Sequence, residues 1–165
     1  MSAQSTMNKN DWLVRCGDGV NLTKSCGFHI WGTNSKATSS RGFFKTAKAG
    51  DRLWFVSNNS RGMVLAAATY CSHNQRRFNC VNNNSMTDDE LRWEKKDNTS
   101  WDIEIHYSDY YSFLGEDILT NIQGVVPIRR YNPQKCEMEL PIEVYDAHVR
   151  HKQHIRDSVM RALPM

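Results

Sequence analysis

The segment from His29 to Lys36 combines a large aromatic side chain with small, polar and basic residues. Trp31 comes directly after Ile30 and is followed by Gly32, Thr33, Asn34, Ser35 and Lys36. A ring at the end of a strand, beside a rim of small residues, can form the wall of a ligand pocket, although such rings also pack in protein cores. The pattern therefore predicts a pocket wall at Trp31, with burial in the core as the competing interpretation.

Basic residues follow this segment and recur later in the chain. Lys36, Arg41, Lys45 and Lys48 could hold phosphate groups in the loop after Trp31. Further basic groups are Arg76-Arg77, Arg129-Arg130, and the set Arg150, His151, Lys152, His154 and Arg156. Such residues either contact a nucleic-acid backbone or form a solvated face, and contacts to phosphate position a ligand without reading its sequence.

Catalytic motifs are weak by comparison. The sequence contains no HExxH, no phosphate-binding glycine loop and no Gly-x-Ser-x-Gly. Cys71-Ser72-His73 together with Cys80 could bind a metal or supply a thiol nucleophile, but lone cysteines in β-proteins usually serve packing. Glu104 and His106 share one face of a predicted strand, a spacing that an acid/base pair or a solvated strand face would show. We therefore expect no catalysis, no metal and no cofactor.

Length and composition limit the class of protein. The chain has 165 residues, a hydrophobic fraction of 39%, a charged fraction of 24% and a formal net charge of +3. These values predict one domain with a single core and permit contact with phosphate. Five cysteines without a CxxC pair argue against a disulfide framework. Because no apolar run approaches membrane-spanning length and residues 1–10 lack a signal-peptide core, we expect an intracellular protein that does not contact membranes.

Alternating and continuous apolar runs predict the strands. A turn at Ala49-Gly50-Asp51-Arg52 precedes the run Leu53 to Ser57, and Asn58 to Gly62 connects it to a second run, Met63 to Ala68. Two apolar runs joined by an Asn/Gly turn predict a buried hairpin. Further strands are predicted at Asp11 to Cys16, Trp101 to Tyr107 and Ile118 to Ile128.

Helix signals are fewer. Thr87 to Glu90 fits a capping box and predicts a short helix to about Lys96. Apolar residues spaced for one helix face predict an amphipathic helix from Ile142 to Leu163. The expected organisation is a flexible tail over 1–10, a domain over 11–140, and a C-terminal helix over 141–165 packed on that domain. The predicted fold class is α+β: a small mixed β-barrel of about six strands flanked by short helices, with the C-terminal amphipathic helix.

The order of these landmarks resembles a known superfamily. Trp12 in a first strand, Trp31-Gly32, a lysine-bearing loop, Ala49-Gly50-Asp51 and a hydrophobic hairpin resemble the EVE domain of the PUA-like superfamily. The pattern of Trp31-Gly32-Thr33 and of Phe55 through Gly62 is also similar to the YTH domain. The resemblance covers roughly residues 11–131. The asparagine-rich segment from Asn74 to Asn84 and the basic C-terminal helix depart from it.

The resemblance implies a nucleic-acid-binding module that captures one modified base, a methylated adenine or cytosine, in an aromatic pocket. A flipped base needs a flat ring to stack on and hydrogen-bonding groups at its edge. The expected base-binding residues are Trp31, Gly32, Thr33, Asn34, Ser35, Lys36, Ser57 and Asn58. The expected phosphate contacts are Arg41, Lys45, Lys48, Arg76, Arg77, Arg129 and Arg130. We expect a monomer that binds RNA or DNA; a protein-interaction module, or an enzyme acting on a nucleotide or nucleic acid, is the alternative.

Overall fold

A computed structural model describes residues 9–17, 19–33, 40–57, 64–75, 90–92, 102–113, 134–135 and 140–163. Short helices alternate with strands in the first half of the chain, and one long helix closes it. The strands are β1 (Asp11–Arg15), β2 (Ile30–Thr33), β3 (Arg52–Val56), β4 (Val64–Gln75), β5 (Ile103–Ser112) and β6 (Gln134–Lys135). The helices are α1 (Val20–Ser25), which continues into a 3-10 helix (Cys26–Phe28), α2 (Ser40–Thr46) and α3 (Ile142–Ala162).

The described strands form one mixed six-stranded sheet in the order β2-β5-β4-β3-β1-β6. Only β1 and β3 run parallel, and every other described pair is antiparallel. Within the described residues β2 and β6 are the two edges of the sheet, which is a curled half-barrel. The predicted α+β class, the number of strands and the C-terminal helix are confirmed.

The predicted hairpin forms the centre of the sheet. Strands β3 and β4 are antiparallel with Leu53 opposite Ala68 and Phe55 opposite Ala66. Alternate side chains of β3 point to opposite faces, so Leu53 and Phe55 join one core cluster while Trp54 and Val56 join another. A continuous apolar run was therefore the correct signal for a strand buried on both faces.

Helices cover both faces of this sheet. On one face, α1 and α2 contribute Leu22 and Phe43 to the larger cluster, where Phe43 packs edge-to-face against Trp12 with ring centroids 5.0 Å apart. On the other face, α3 contributes Tyr145, which packs against Trp54 with ring centroids 5.9 Å apart. We call these the α2 face and the α3 face.

A buried carboxylate fixes the turn that starts β3. Asp51 is 2% exposed and accepts hydrogen bonds from the Trp12 indole Nε1 at 3.1 Å, the Lys48 amide at 2.9 Å and the Asn10 amide at 3.1 Å. Gly50 has φ 100°, which a residue with a side chain rarely adopts, so glycine permits this tight turn. The turn thus ties the start of β1 to the start of β3.

The first half of α3 is docked on the sheet by polar contacts. The Tyr145 hydroxyl lies 2.6 Å from Thr69 Oγ1 and donates to the Asp109 carbonyl at 3.0 Å. Arg52 donates to Asp11 through Nε at 2.6 Å and to Asp146 through Nη1 at 3.3 Å. Beyond this region the helix carries exposed apolar side chains, namely Ile155, Val159 and Met160, with Leu163 just after its end.

Several predicted segments fall partly or wholly outside the described residues. The strand at Ile118 to Ile128 and the residue Trp101 are outside them. Of the predicted helix from Thr87 to Lys96, only Glu90 to Arg92 are described, and they form a turn with Arg92 at φ 60°. A left-handed residue ends an α-helix, so the helix prediction is wrong at this position. None of the described helices is long and apolar enough to cross a membrane.

Candidate nucleic-acid interface

Trp31 lies in the edge strand β2, with its ring on the α2 face. It is opposite Ile105 of β5 in the sheet register. The side chain is 6% exposed and packs edge-to-face against Phe55, with ring centroids 6.0 Å apart and an interplanar angle of 76°. This burial agrees with the core interpretation of Trp31, and its role as a stacking wall stays a prediction.

The other predicted base-binding residues divide into buried and undescribed ones. Gly32 and Thr33 are buried in β2 beside Trp31, and Ser57 is buried directly after β3. The positions of Asn34, Ser35, Lys36 and Asn58 lie outside the described residues. Their assignment as edge readers therefore stays a prediction.

A row of side chains crosses three strands on the α2 face. Trp31 is opposite Ile105, and Ile105 is opposite His73 of β4. Residues opposite each other in adjacent strands point to the same face, and adjacent strands lie about 4.8 Å apart. Trp31 and His73 therefore flank Ile105, with their backbones roughly 10 Å apart.

His73 belongs to an aromatic group that the sequence did not reveal as such. Its ring lies 4.8 Å from the ring of Phe44 in α2, and its Nδ1 is 2.5 Å from the Tyr70 hydroxyl. Phe44 and His73 are both half-buried, whereas Tyr70 is buried. We call Phe44 and His73 the ring pair.

His73 and Tyr70 both favour their neutral forms. Burial lowers the pKa of His73 below its ordinary value. Burial, with smaller effects of Asp51 and Cys71, raises the pKa of Tyr70 to about 12. Near neutral pH the phenol therefore keeps its proton and the imidazole is uncharged.

Two of the predicted phosphate contacts lie next to the ring pair. Lys45 follows Phe44 in α2, and Lys48 precedes the turn whose Gly50 amide donates to the Tyr70 carbonyl at 2.9 Å. Both lysines are exposed. The backbone of Arg41 lies in α2, whereas Arg76, Arg77, Arg129 and Arg130 are outside the described residues, so those contacts stay predictions.

The residues considered for catalysis lie on different faces. On the α3 face, His106 Nε2 lies 2.8 Å from Glu104 Oε1 and 2.8 Å from Asn74 Oδ1. His73 points to the α2 face, and Cys71 is exposed. Within the described residues, no three His, Cys, Asp or Glu side chains are grouped to hold a metal ion.

A cavity of about 310 Å³ opens between α1 and the sheet. Its lining is mainly apolar: Gly19, Val20, Leu22, Thr23, Lys24, Leu65 and Tyr110. Tyr110 packs against Phe55 with ring centroids 6.3 Å apart, and Phe55 in turn contacts Trp31. One lining residue of the cavity and Trp31 thus contact the same phenylalanine ring.

Comparisons with known proteins concern the fold. No protein-family model and no curated protein sequence matches the chain. The chain is similar to the structure of a hypothetical protein from Leishmania major, at 10% identity and a TM-score of 0.50, covering 89% of this chain and 99% of that one. At this identity the similarity shows a shared fold alone.

Two YTH domains are also among the similar structures. One is the YTH domain of Zygosaccharomyces rouxii MRB1 in complex with N6-methyladenosine RNA, with 10% identity, a TM-score of 0.42, and coverage of 87% of this chain and 86% of that one. The other is the MmI1 YTH domain, with 14% identity, a TM-score of 0.42, and coverage of 93% and 99%. The resemblance to the EVE domain stays a prediction.

Proposed function

We propose that the chain is a non-catalytic nucleic-acid-binding module that reads a modified base, a methylated adenine or cytosine, at Trp31. The observation that carries this proposal is an aromatic ring beside cations on one face. Trp31 lies on the α2 face, and the exposed Lys45 and Lys48 lie at its border. Stacking rings beside cations are the features that single-stranded nucleic acid needs.

The identity of the ligand rests on the sequence resemblance. The pattern of Trp31-Gly32-Thr33 is similar to that of domains that hold one modified base in an aromatic pocket. Because Trp31 is 6% exposed, a base can stack on it only if the cover of the ring moves aside. The proposal therefore requires that the Trp31 ring becomes more exposed when the ligand binds.

The test is a panel of single-stranded RNA and DNA oligonucleotides, each with one modified base, compared with the unmodified strand by fluorescence anisotropy. We expect one modification to bind most tightly, with affinity that decreases as salt rises, because cations release counterions from phosphates. Trp31→Ala should weaken binding of that oligonucleotide about five- to a hundred-fold, the value of one stacked base. A folded Trp31→Ala protein that binds like the parent would contradict the pocket.

The exposed apolar side chains of α3 favour a second candidate, a protein-interaction module. Ile155, Val159 and Met160 are each about half exposed or more, although large apolar groups are usually covered. This alternative predicts that no oligonucleotide in the panel binds. An enzyme using the pair Glu104 and His106 would instead change the oligonucleotides, which mass spectrometry of the recovered strands would detect.

A further inference from the structure

We propose that the ring pair, Phe44 and His73, is a second nucleobase subsite, which stacks the nucleotide next to the base held at Trp31. The inference rests on the proposed function and adds to it a place for the flanking nucleotide. It follows from the position of the ring pair, its hydrogen bonding and the charges beside it.

The position fits a neighbouring base. Trp31 and His73 point to the same face and are separated by one residue, Ile105. When one base is flipped out of a strand, its neighbour is unstacked on that side and gains from a new ring surface. A ring two strands away from the pocket can offer that surface without competing for the flipped base.

Packing against neighbouring rings fixes the orientation of the ring pair. Phe44 and His73 lie 4.8 Å apart with an interplanar angle of 42°. Phe43 supports both from beneath, with ring centroids 5.6 Å from Phe44 and 6.2 Å from His73, and is itself fully buried. A ring whose orientation is fixed by packing loses little entropy when a base stacks on it.

The hydrogen bond to Tyr70 fixes the tautomer of His73. With the protonated phenol as donor, Nδ1 accepts and the hydrogen of the neutral imidazole lies on Nε2. Nε2 is then a donor in the plane of the ring, so the ring offers an uncharged aromatic face for stacking. The lowered pKa of His73 supports this neutral form.

The charges beside the ring pair suit the backbone of the same nucleotide. Lys45 and Lys48 are exposed on either side of the end of α2. The acidic group of the turn that follows them, Asp51, is buried and accepts hydrogen bonds from Trp12, Lys48 and Asn10, so it does not face the surface. A phosphate can therefore approach the lysines without meeting an exposed carboxylate in this turn.

The experiment compares a single modified nucleoside with a modified oligonucleotide as probes. His73→Ala and Phe44→Leu should leave nucleoside binding unchanged and weaken oligonucleotide binding roughly five- to a hundred-fold each. His73→Phe should restore most of the affinity, because it keeps the ring and removes only the nitrogen donor. Phe28→Ala is the matched control, since Phe28 is an exposed ring in the 3-10 helix outside the ring pair.

The outcomes separate the two proposals. Thermal unfolding of every variant first confirms that it is folded. If His73→Ala and Phe44→Leu bind the oligonucleotide like the parent, the second subsite is wrong, while the reader function stands. If the parent protein binds neither nucleoside nor oligonucleotide, the reader function itself is wrong and the subsite with it. A loss of nucleoside binding in His73→Ala would also overturn the subsite, because it would place His73 in the primary pocket.

Discussion

The two faces of the sheet use polar groups in different ways. On the α3 face, the guanidinium of Arg52 lies between Asp11 and Asp146, and the Trp54 indole donates to Asp11 Oδ1 at 2.9 Å. The Tyr145 hydroxyl is paired with Thr69. These groups are enclosed, and each is matched by a partner within the fold, so they hold α3 against the sheet.

On the α2 face the polar and aromatic groups are less completely enclosed. Phe44 and His73 are half-buried, and Lys45 is exposed next to them. Paired polar groups thus close the α3 face, whereas the α2 face leaves two aromatic side chains half-buried beside an exposed lysine.

The largest expected effect is that of Trp54→Ala, on the α3 face. Trp54 is fully buried against Phe113 and Tyr145, so its removal leaves a large cavity in the core. We expect a loss of about 3–5 kcal/mol in the free energy of unfolding, measured by urea denaturation. Because a domain of this size has only about 5–15 kcal/mol of stability, the loss should be conspicuous.

Trp31→Ala is measured in the same urea assay as Trp54→Ala. If Trp31 is the wall of a binding pocket, its replacement should lower the free energy of unfolding clearly less than the replacement of Trp54 does. It should also weaken oligonucleotide binding. Equal destabilisation of the two variants, with unchanged binding per folded molecule, would mean that both tryptophans serve the core alone.

Asp51→Ala should have the next largest effect. The substitution leaves the buried indole of Trp12 and the amides of Lys48 and Asn10 without their acceptor. An unsatisfied buried donor costs about 1–3 kcal/mol, and water can reach some of these groups, so we expect a total of about 2–3 kcal/mol. Asp157→Ala, at an exposed position of α3 where the carboxylate accepts only from the exposed Gln153 in the described contacts, is the control. A change below about 0.5 kcal/mol for Asp51→Ala would show that the turn does not depend on its carboxylate.

The sequence predicted local elements well because their signals are local. The apolar runs at Leu53 to Ser57 and Met63 to Ala68 formed a hairpin, and the helical spacing after Pro141 formed α3. The strands predicted at Asp11 to Cys16 and at Trp101 to Tyr107 likewise correspond to β1 and β5. In each case the spacing of the apolar residues within the element indicates which of its side chains are buried.

The candidate site was harder to predict because its residues meet through irregular pairing. In a regular strand, Tyr70 and His73 would point to opposite faces, since they are three positions apart. The register shifts between Tyr70 and Ser72, and this irregularity brings both rings to the α2 face. The contact of His73 with Phe44 also joins distant parts of the chain. Neither the shift nor the contact has a signal in one sequence.

A smaller effect is expected from acid, and it involves one histidine on each face. Burial lowers the pKa of His73 on the α2 face and, together with Lys152, that of His148 on the α3 face. A histidine with a lower pKa when folded binds protons less well than in the unfolded chain. Its stabilising contribution is therefore complete above about pH 6.5, the ordinary value, and is lost as pH falls through the folded pKa.

We therefore expect the free energy of unfolding to fall as pH decreases below about 6.5. His73→Gln and His148→Gln should each flatten this dependence, and urea titrations at several pH values measure it. His154, which is exposed on α3, provides the control for substitution of a histidine. A pH dependence that is unchanged in both variants would assign the acid sensitivity to carboxylates instead.

The smallest effect should come from Arg156→Gln, which tests whether the polar contacts of α3 weaken toward solvent. Arg156 lies 3.6 Å from Asp109, as does Lys152, but its side chain is 58% exposed. Solvent screens such a pair, and Lys152 can continue to neutralise Asp109, so we expect a loss below about 0.5 kcal/mol. Arg52→Gln is the comparison, because the Arg52 side chain is 11% exposed and its removal leaves Asp11 and Asp146 without their shared cation. That variant should lose several times as much stability in the same urea titration. Equal losses for the two arginines would mean that the strength of the α3 ion pairs does not depend on their burial. The enclosed polar groups of the α3 face would then contribute no more to stability than exposed ones.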